Sequence, residues 1–371
     1  MIPVNEPLLR KKELEYVTDC ISTGWISSSG SYIKLFEEKW AEYCGKRRYG
    51  ITVSSGTAAL QIAIGCLDLK PGNEVIIPTF TIISCALAVI YNGGKPILVD
   101  SDPETWCMDV NQLEAKITSR TRAIMPVHIY GHPVDMDPIR KLADKYNLVI
   151  VEDAAEAHCA KYKGQICGSL GDISIFSFYA NKIITTGEGG MVITDDFIYA
   201  ERARQLRNLC FIPERRFLHK KLGHNFRMTN IQAAIGLAQL ERIDEIINKK
   251  RWIGQQYSSK LRDIPGLQLP VEKTWAENVY WMYGIVLDEK FRINANEFAA
   301  LLRERRIDSR PFFWGMHEQP IFHEMGLFLG ETYPIAERIA RQGLYLPSGL
   351  TLTQEQINTV CKVVKSLLEK L

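Results

Sequence analysis

Leu148-Val-Ile-Val-Glu-Asp153 runs through four apolar residues and ends in two acids. A strand with one wet face alternates apolar and polar residues, so an unbroken run predicts a strand covered on both faces, as in a parallel sheet. Val75-Ile-Ile77 repeats the signature. Working outward, β-rich runs at 49–53, 74–78, 96–99, 123–128, 148–151, 173–178 and 191–194 alternate with helix-like segments. That alternation is the pattern of an α/β domain. Ligands in such sheets gather at the carboxyl ends of strands. Ser54-Ser-Gly-Thr57, Asp153 and Ser177 each end or follow a run, which places them on one rim.

Downstream, Asp172-Ile-Ser-Ile-Phe-Ser-Phe178 alternates as a half-buried strand does, and Gly187, Gly189 and Gly190 mark a turn where backbone passes close to a neighbour. Lys182 lies between the two. An amine on such a ledge is partly desolvated, which favours its neutral form and suits a Schiff base with an aldehyde or ketone. The ordinary alternative is one more solvated cation among 45 lysines and arginines. Asp153 is suited to pairing with the protonated pyridine nitrogen of pyridoxal phosphate, or to capping a helix over 154–159. Glu156 is placed to approach the ring hydroxyl or to support that cap. The Ser54–Thr57 turn opens a helix-like segment, so the amides of Gly56, Thr57 and Ala58 point toward an anion, and Ser177 adds a hydroxyl. It is not a nucleotide P-loop, since no Gly-Lys-Ser/Thr ending follows.

The chain has 371 residues, long enough for a large domain and a smaller one. A net charge of +2 gives no global attraction to nucleic acid or to an acidic membrane. The first residues lack the basic start and apolar core of a signal peptide, and no apolar run reaches membrane-spanning length, which predicts a cytoplasmic protein. Nine cysteines without a CxxC pair read as reduced thiols rather than a disulfide or zinc framework, and no metal site is predicted. Residues 228–251 carry helical periodicity and predict one long helix capped by Thr229 or Asn230. Beyond Pro265, Gly266 and Pro270, a strand signal over 279–287 and helix signals over 295–305 and 353–371 predict a second, α+β domain. The division expected is 1–248 and 249–371, with the first fifteen or so residues packing on the smaller part.

Together these residues resemble the DegT/DnrJ/EryC1/StrS family of sugar aminotransferases. The similarity extends from Gly24-Trp-Ile-Ser27 and Lys34-Leu-Phe-Glu37 through Ser55-Gly-Thr57, Pro78-Thr-Phe-Thr81, Glu152-Asp-Ala-Ala-Glu156, Gly168-Ser-Leu-Gly-Asp172, Phe176-Ser-Phe178 and Lys182 to Asn225-Phe-Arg-Met-Thr-Asn-Ile-Gln-Ala-Ala-Ile-Gly236. The resemblance implies a fold-type I pyridoxal phosphate enzyme, with a central, mostly parallel seven-stranded sheet and a smaller C-terminal α+β domain. It implies that Lys182 carries the cofactor, that Asp153 pairs with the pyridine nitrogen, and that Gly56, Thr57 and Ser177 hold the phosphate. Asn225 would reach the cofactor of a neighbouring subunit, making a homodimer with shared active sites.

Thr23-Gly-Trp-Ile-Ser-Ser28, Ile124-Met-Pro-Val-His-Ile-Tyr-Gly131, Asn181–Gly190 and Ser309-Arg-Pro-Phe-Phe-Trp-Gly-Met-His317 are most similar to the branch that aminates carbon 4 of GDP-4-keto-6-deoxy-D-mannose with L-glutamate. Trp25, Arg227, Arg310, Trp314 and His317 are the candidate contacts to the nucleotide sugar, while Arg310 and Trp314 equally suit a domain interface. Two departures stand out. Ile82 occupies a position that is aromatic in many relatives, leaving ring contact to an aliphatic side chain or to Phe80, and Ala180 replaces a usual glycine. Three rival readings are a UDP- or dTDP-linked keto sugar, the dehydratase branch, which carries histidine in place of the lysine, and a non-catalytic regulatory member.

Overall fold

Seven strands pair into one sheet: β1 (Tyr49–Val53), β2 (Glu74–Pro78), β3 (Lys95–Val99), β4 (Thr121–Ile124), β5 (Val149–Asp153), β6 (Ile173–Ser177) and β7 (Gly190–Thr194). Their order is β1-β7-β6-β5-β4-β2-β3 in the computed structural model, which describes residues 1–212 and 215–371. Only β7 runs against its neighbours. Its first residue, Gly190, therefore lies opposite the last residues of both β1 and β6, Val53 and Ser177. The mostly parallel seven-stranded α/β architecture is the one the sequence predicts. Every residue of β2, β6 and β7 is buried, which is why those runs are so apolar.

Side chains alternate across a strand, and this decides what each face of the sheet does. On β6, Ile175 and Ser177 line a cleft. Phe176 and the following Phe178 point the other way, to Trp40 on α2 (Ser31–Tyr43), with ring centroids 5.0 and 5.2 Å away and near-perpendicular planes. Edge-to-face aromatic pairs of this kind add about 0.5–1.5 kcal/mol each beyond area burial. They form the floor beneath the lysine loop.

The periodic stretch 228–251 is two helices. α3 (Asn230–Leu240) begins with Thr229 as N-cap and a capping box with Gln232, and α4 (Ile243–Leu261) follows a break at Glu241–Arg242. Nothing in those two residues disfavours a helix. The break coincides with a polar lock to α1 (Lys11–Thr23): Lys12 and Tyr16 bond Glu241, and Glu13, 3% exposed, accepts from Arg242 Nη1 at 3.0 Å.

A four-stranded antiparallel sheet follows: β8 (Leu267–Gln268), β9 (Tyr283–Leu287), β10 (Arg310–Pro311) and β11 (Gly343–Leu346), in the order β8-β9-β11-β10. The predicted strand over 279–287 starts only at Tyr283, because Val279, Trp281 and Met282 turn toward the first core. α4 bridges two cores, with Ile246 and Ile247 in the first and Ile253, Tyr257 and Leu261 in the second. The division expected near residue 248 thus falls inside a helix. At the start of the chain Ile2 bridges Ile307 and Ser348 N–H donates to the Val4 carbonyl at 3.0 Å, whereas Leu8 and Tyr16 pack on the first core and Glu13 bonds Arg242. Among the described residues no helix is long and apolar enough to cross a membrane.

Candidate active site

The rim of the large sheet opens into a cleft of about 340 Å³. Ser55, Gly56, Thr57, Asp153, Glu156, Ser177 and Lys182 all line it, joined by Ile82, Trp281 and Tyr345. Sequence neighbours diverge here. Glu152 and Asp153 are adjacent acids on β5, and strand alternation sends them to opposite faces. Glu152 turns inward and accepts from His128, Ser174 and the amides of Gly168, Leu170 and Gly171. Burial opposes its ionisation, but those donors outweigh burial and hold the carboxyl below its usual range. With Cys167, this His128–Glu152 pair is the one group of three potential metal donors among the described residues. Its oxygens are already engaged as hydrogen-bond acceptors.

Asp153 turns into the cleft and is 2% exposed. Its Oδ1 accepts from the Ala155 amide at 2.9 Å, and, among the described residues, its Oδ2 only from the Cys85 thiol at 3.4 Å. No helix follows over 154–159, so the cap reading reduces to this single turn. Burial raises the Asp153 carboxyl above its usual range, against the Ala155 amide and the Lys182 charge. A weak thiol donor on one oxygen leaves that oxygen fit for a stronger one, such as a protonated ring nitrogen.

Lys182 sits on a turn closed by its own N–H to the Tyr179 carbonyl at 2.9 Å. Its Nζ lies 3.6 Å from Glu156 Oε1 and 3.6 Å from the centroid of the Trp281 ring. Burial lowers its pKa, opposed by Glu156 and Asp153. Burial likewise pushes Glu156 up to about 7, opposed by Lys182. Glu156 Oε2 accepts from the Tyr130 amide at 2.8 Å. Tyr130 presents that amide from a left-handed conformation, φ 51°, which costs a bulky residue of order 1–3 kcal/mol. Its ring is packed against Trp281, Phe312 and Phe313, which holds the strain in place.

Across the cleft, the helix Gly56–Gly65 starts at Ser55, whose side chain caps the Ala58 amide and whose carbonyl takes the Ala59 amide. The amides left at this N-terminus are those of Gly56 and Thr57, which suits an anion. A Cβ on Gly56 would stand 2.6 Å from Ser177 Cβ, so only glycine lets the turn and β6 close on one small space. His158, buried among Trp40, Phe176 and Phe178, donates from Nε2 to the Ser177 carbonyl at 2.8 Å. Burial lowers its pKa to about 3, keeping it neutral.

A phosphate-sized anion at Gly56, Thr57 and Ser177, a ring nitrogen at Asp153 and an aldehyde carbon at Lys182 match the donor set present. The residues fit pyridoxal phosphate. Ile82 lines the cleft, whereas Phe80 is 1% exposed and packs on Tyr130, Phe312 and Phe313 instead.

The remaining sequence candidates lie elsewhere in the single chain. Arg227 bonds Asn208 Oδ1 at 2.6 Å and lines a separate hollow with Ser28, Ser29 and Phe211. Asn225 is exposed and bridges Asn208. Trp25 is 60% and Trp314 50% exposed, the latter under the Arg341 guanidinium. Arg310 pairs with Asp308. His317 is buried, with its ring nitrogens bonded to Thr79 at 2.8 Å and Glu337 at 3.1 Å. Trp281, Tyr345, Cys85 and His158 were not among the sequence candidates. Trp281 and Tyr345 come from distant segments with no local motif, whereas His158 stands two residues after Glu156.

The sequence profile of the DegT/DnrJ/EryC1/StrS aminotransferase family matches residues 7–365. The chain is 44% identical to GDP-perosamine synthase of Escherichia coli O157:H7 over 363 residues, covering 98% of this chain and 97% of that protein. It is 43% identical to GDP-perosamine synthase of Caulobacter vibrioides over 368 residues, covering 99% and 98%. The crystal structure of S. venezuelae DesV, in complex with a ketimine intermediate, superposes with a TM-score of 0.90 at 34% identity, covering 97% and 95% of the two chains.

Proposed function

The chain belongs to the DegT/DnrJ/EryC1/StrS aminotransferase family, and from that premise we propose that it aminates carbon 4 of GDP-4-keto-6-deoxy-D-mannose to give GDP-perosamine, with L-glutamate as donor. It is a pyridoxal phosphate-dependent sugar nucleotide aminotransferase. The observation that carries the reading is a lysine, its side chain 11% exposed, not a histidine, at position 182 of a chain similar along its whole length to GDP-perosamine synthases. A histidine there would point to the dehydratase branch.

Bound in the cleft, pyridoxal phosphate supplies an electron sink and a carrier for the amino group. The proton work belongs to Lys182: freed as an amine, it takes the α-proton of the donor and later returns a proton to the sugar carbon. Desolvation favours the neutral amine needed for the first step. Asp153 would hold the ring nitrogen in its protonated form, Glu156 would face the ring hydroxyl, and Gly56, Thr57 and Ser177 would bind the phosphate.

Two features support a homodimer with shared sites. Apart from Lys182, no arginine or lysine lines the cleft among the described residues, whereas Asp153, Glu156 and Glu188 do. The phosphate and the donor's carboxylates need cations and donors that a second copy can bring, Asn225 among them. Arg227, Arg310, Trp25, Trp314 and His317 remain the proposed nucleotide-sugar side, with His317 acting through the elements it ties together. Nine buried cysteines without a disulfide support a reducing compartment, hence the cytoplasm. The product is of the kind built into O-antigen polysaccharide.

Purified protein with L-glutamate and a panel of GDP-, UDP- and dTDP-linked keto sugars, read by mass spectrometry, tests the assignment. Amination of the GDP-linked 4-keto-6-deoxy sugar is expected. Turnover of a UDP- or dTDP-linked sugar alone would reject it.

A further inference from the structure

The turn that carries Lys182 is held from two distant places. The Asn181 carbonyl accepts from Trp281 Nε1 at 2.8 Å and from Asn5 Nδ2 at 2.7 Å. The same indole presents its face to Lys182 Nζ, 3.6 Å from the ring centroid. One side chain therefore grips two consecutive residues by different physics: its N–H holds the peptide, and its π face attracts the ammonium.

Trp281 is itself fixed. It is 4% exposed and stacks on Tyr130 with 27° between planes. Its carbonyl accepts from Lys250 Nζ at 2.7 Å, and that buried lysine also donates to the Ser348 carbonyl at 2.6 Å. Ser348 in turn bonds Val4, next to Asn5. Lys250, Ser348 and the N-terminal segment thus form a frame behind the indole. A tryptophan serving only as core filler has no need to meet both the carbonyl before the lysine and the lysine's own charge.

We infer that Trp281 is a positioning residue for the transfer reaction, setting the reach of Lys182 through Asn181 and biasing its charge state through the ring face. The inference rests on the reading of Lys182 as the cofactor-binding amine. The charged and titratable groups around that amine are Glu156 and Asp153 on the cleft wall, the Cys85 thiol, His158 below, and Glu188, Tyr179 and Tyr345 at the opening. Against these the ring adds attraction for the protonated form only. Draining its π density lowers the Lys182 pKa, while the shape of the site and the exclusion of water stay the same.

The test is the rate at which cofactor-free protein captures pyridoxal phosphate, followed by growth of the visible band across pH. A tetrafluorinated tryptophan placed at position 281 moves the midpoint of the rate profile down by about one pH unit, the shift a cation–π contact in a dry site supplies. Trp281→Phe keeps a ring but loses the donor to Asn181, and slows capture about fivefold on the high-pH plateau, where the amine is neutral, the equivalent of one neutral hydrogen bond. Asn5→Ala slows capture similarly and leaves the midpoint in place. A merely structural role would lower thermal stability without moving the midpoint. An unmoved or raised midpoint in the fluorinated protein, or unslowed capture in Trp281→Phe, overturns the inference. Failure of the wild-type protein to capture the cofactor at any pH overturns the functional reading and this inference with it.

Discussion

Lys182 shares its cleft with two acids whose roles separate by environment. Its replacement by alanine removes both the cofactor anchor and the proton shuttle. Lys182→Ala is expected to lack the visible band and to lose more than the factor of about 10²–10⁴ attributed to a general base alone, as measured by absorbance and product formation. Glu156 makes a pH-dependent prediction. Its carboxyl is pushed from 4.5 in the unfolded chain to about 7 by burial, so between those values the folded protein binds the proton more tightly. Stability of the cofactor-free protein therefore falls as pH rises through that window and stays low above it. Glu156→Gln removes this loss: thermal melts should show a gain on the order of 3 kcal/mol over wild type at pH 8 and little difference at pH 4. At this scale the sequence was informative where a residue ended a buried run. Asp153 and Ser177 were legible because strand ends are; the buried ring of His317 was not, since its partners Thr79 and Glu337 come from other elements.

The elements that frame the cleft approach closely. A Cβ on Gly190 at the start of β7 would lie 2.4 Å from the Ser55 carbonyl oxygen, where backbone cannot step aside cheaply. Gly190→Ala is expected to push the Gly56–Gly65 helix start away from β6 and β7, costing about 1–3 kcal/mol in a thermal or denaturant melt. It should also weaken pyridoxal phosphate binding in a titration, because the Gly56 and Thr57 amides move with that helix. The strands were readable from sequence to within a few residues, since burial on both faces leaves an apolar run that few other structures require. The break between α3 and α4 was not readable. Glu241 and Arg242 are good helix formers, and what parts the helices there is a set of bonds to residues more than two hundred positions earlier.

For the whole molecule, the acid-rich cleft of a single chain predicts dependence on a second copy. Lys182→Ala and Asn225→Ala proteins mixed as mutual partners should form one intact site per pair, built from Lys182 of one chain and Asn225 of the other. Recovery of the visible band and of activity, toward half the wild-type level, is the expected outcome; no recovery in mixed dimers verified by sedimentation would refute site sharing.

The sequence by itself determined the strands and the residues at their ends, Ser55 to Thr57, Asp153 and Ser177. Periodicity and burial are local, so each strand carries its own record of which face is covered. Only the tertiary structure decided what aims Lys182. Asn5 and Trp281 reach the Asn181 carbonyl across separations of 176 and 100 residues. Lys250 fixes Trp281 from a helix that serves both cores. Contacts between segments so far apart leave no spacing or pattern in the chain, because they arise only when the two cores close on one another.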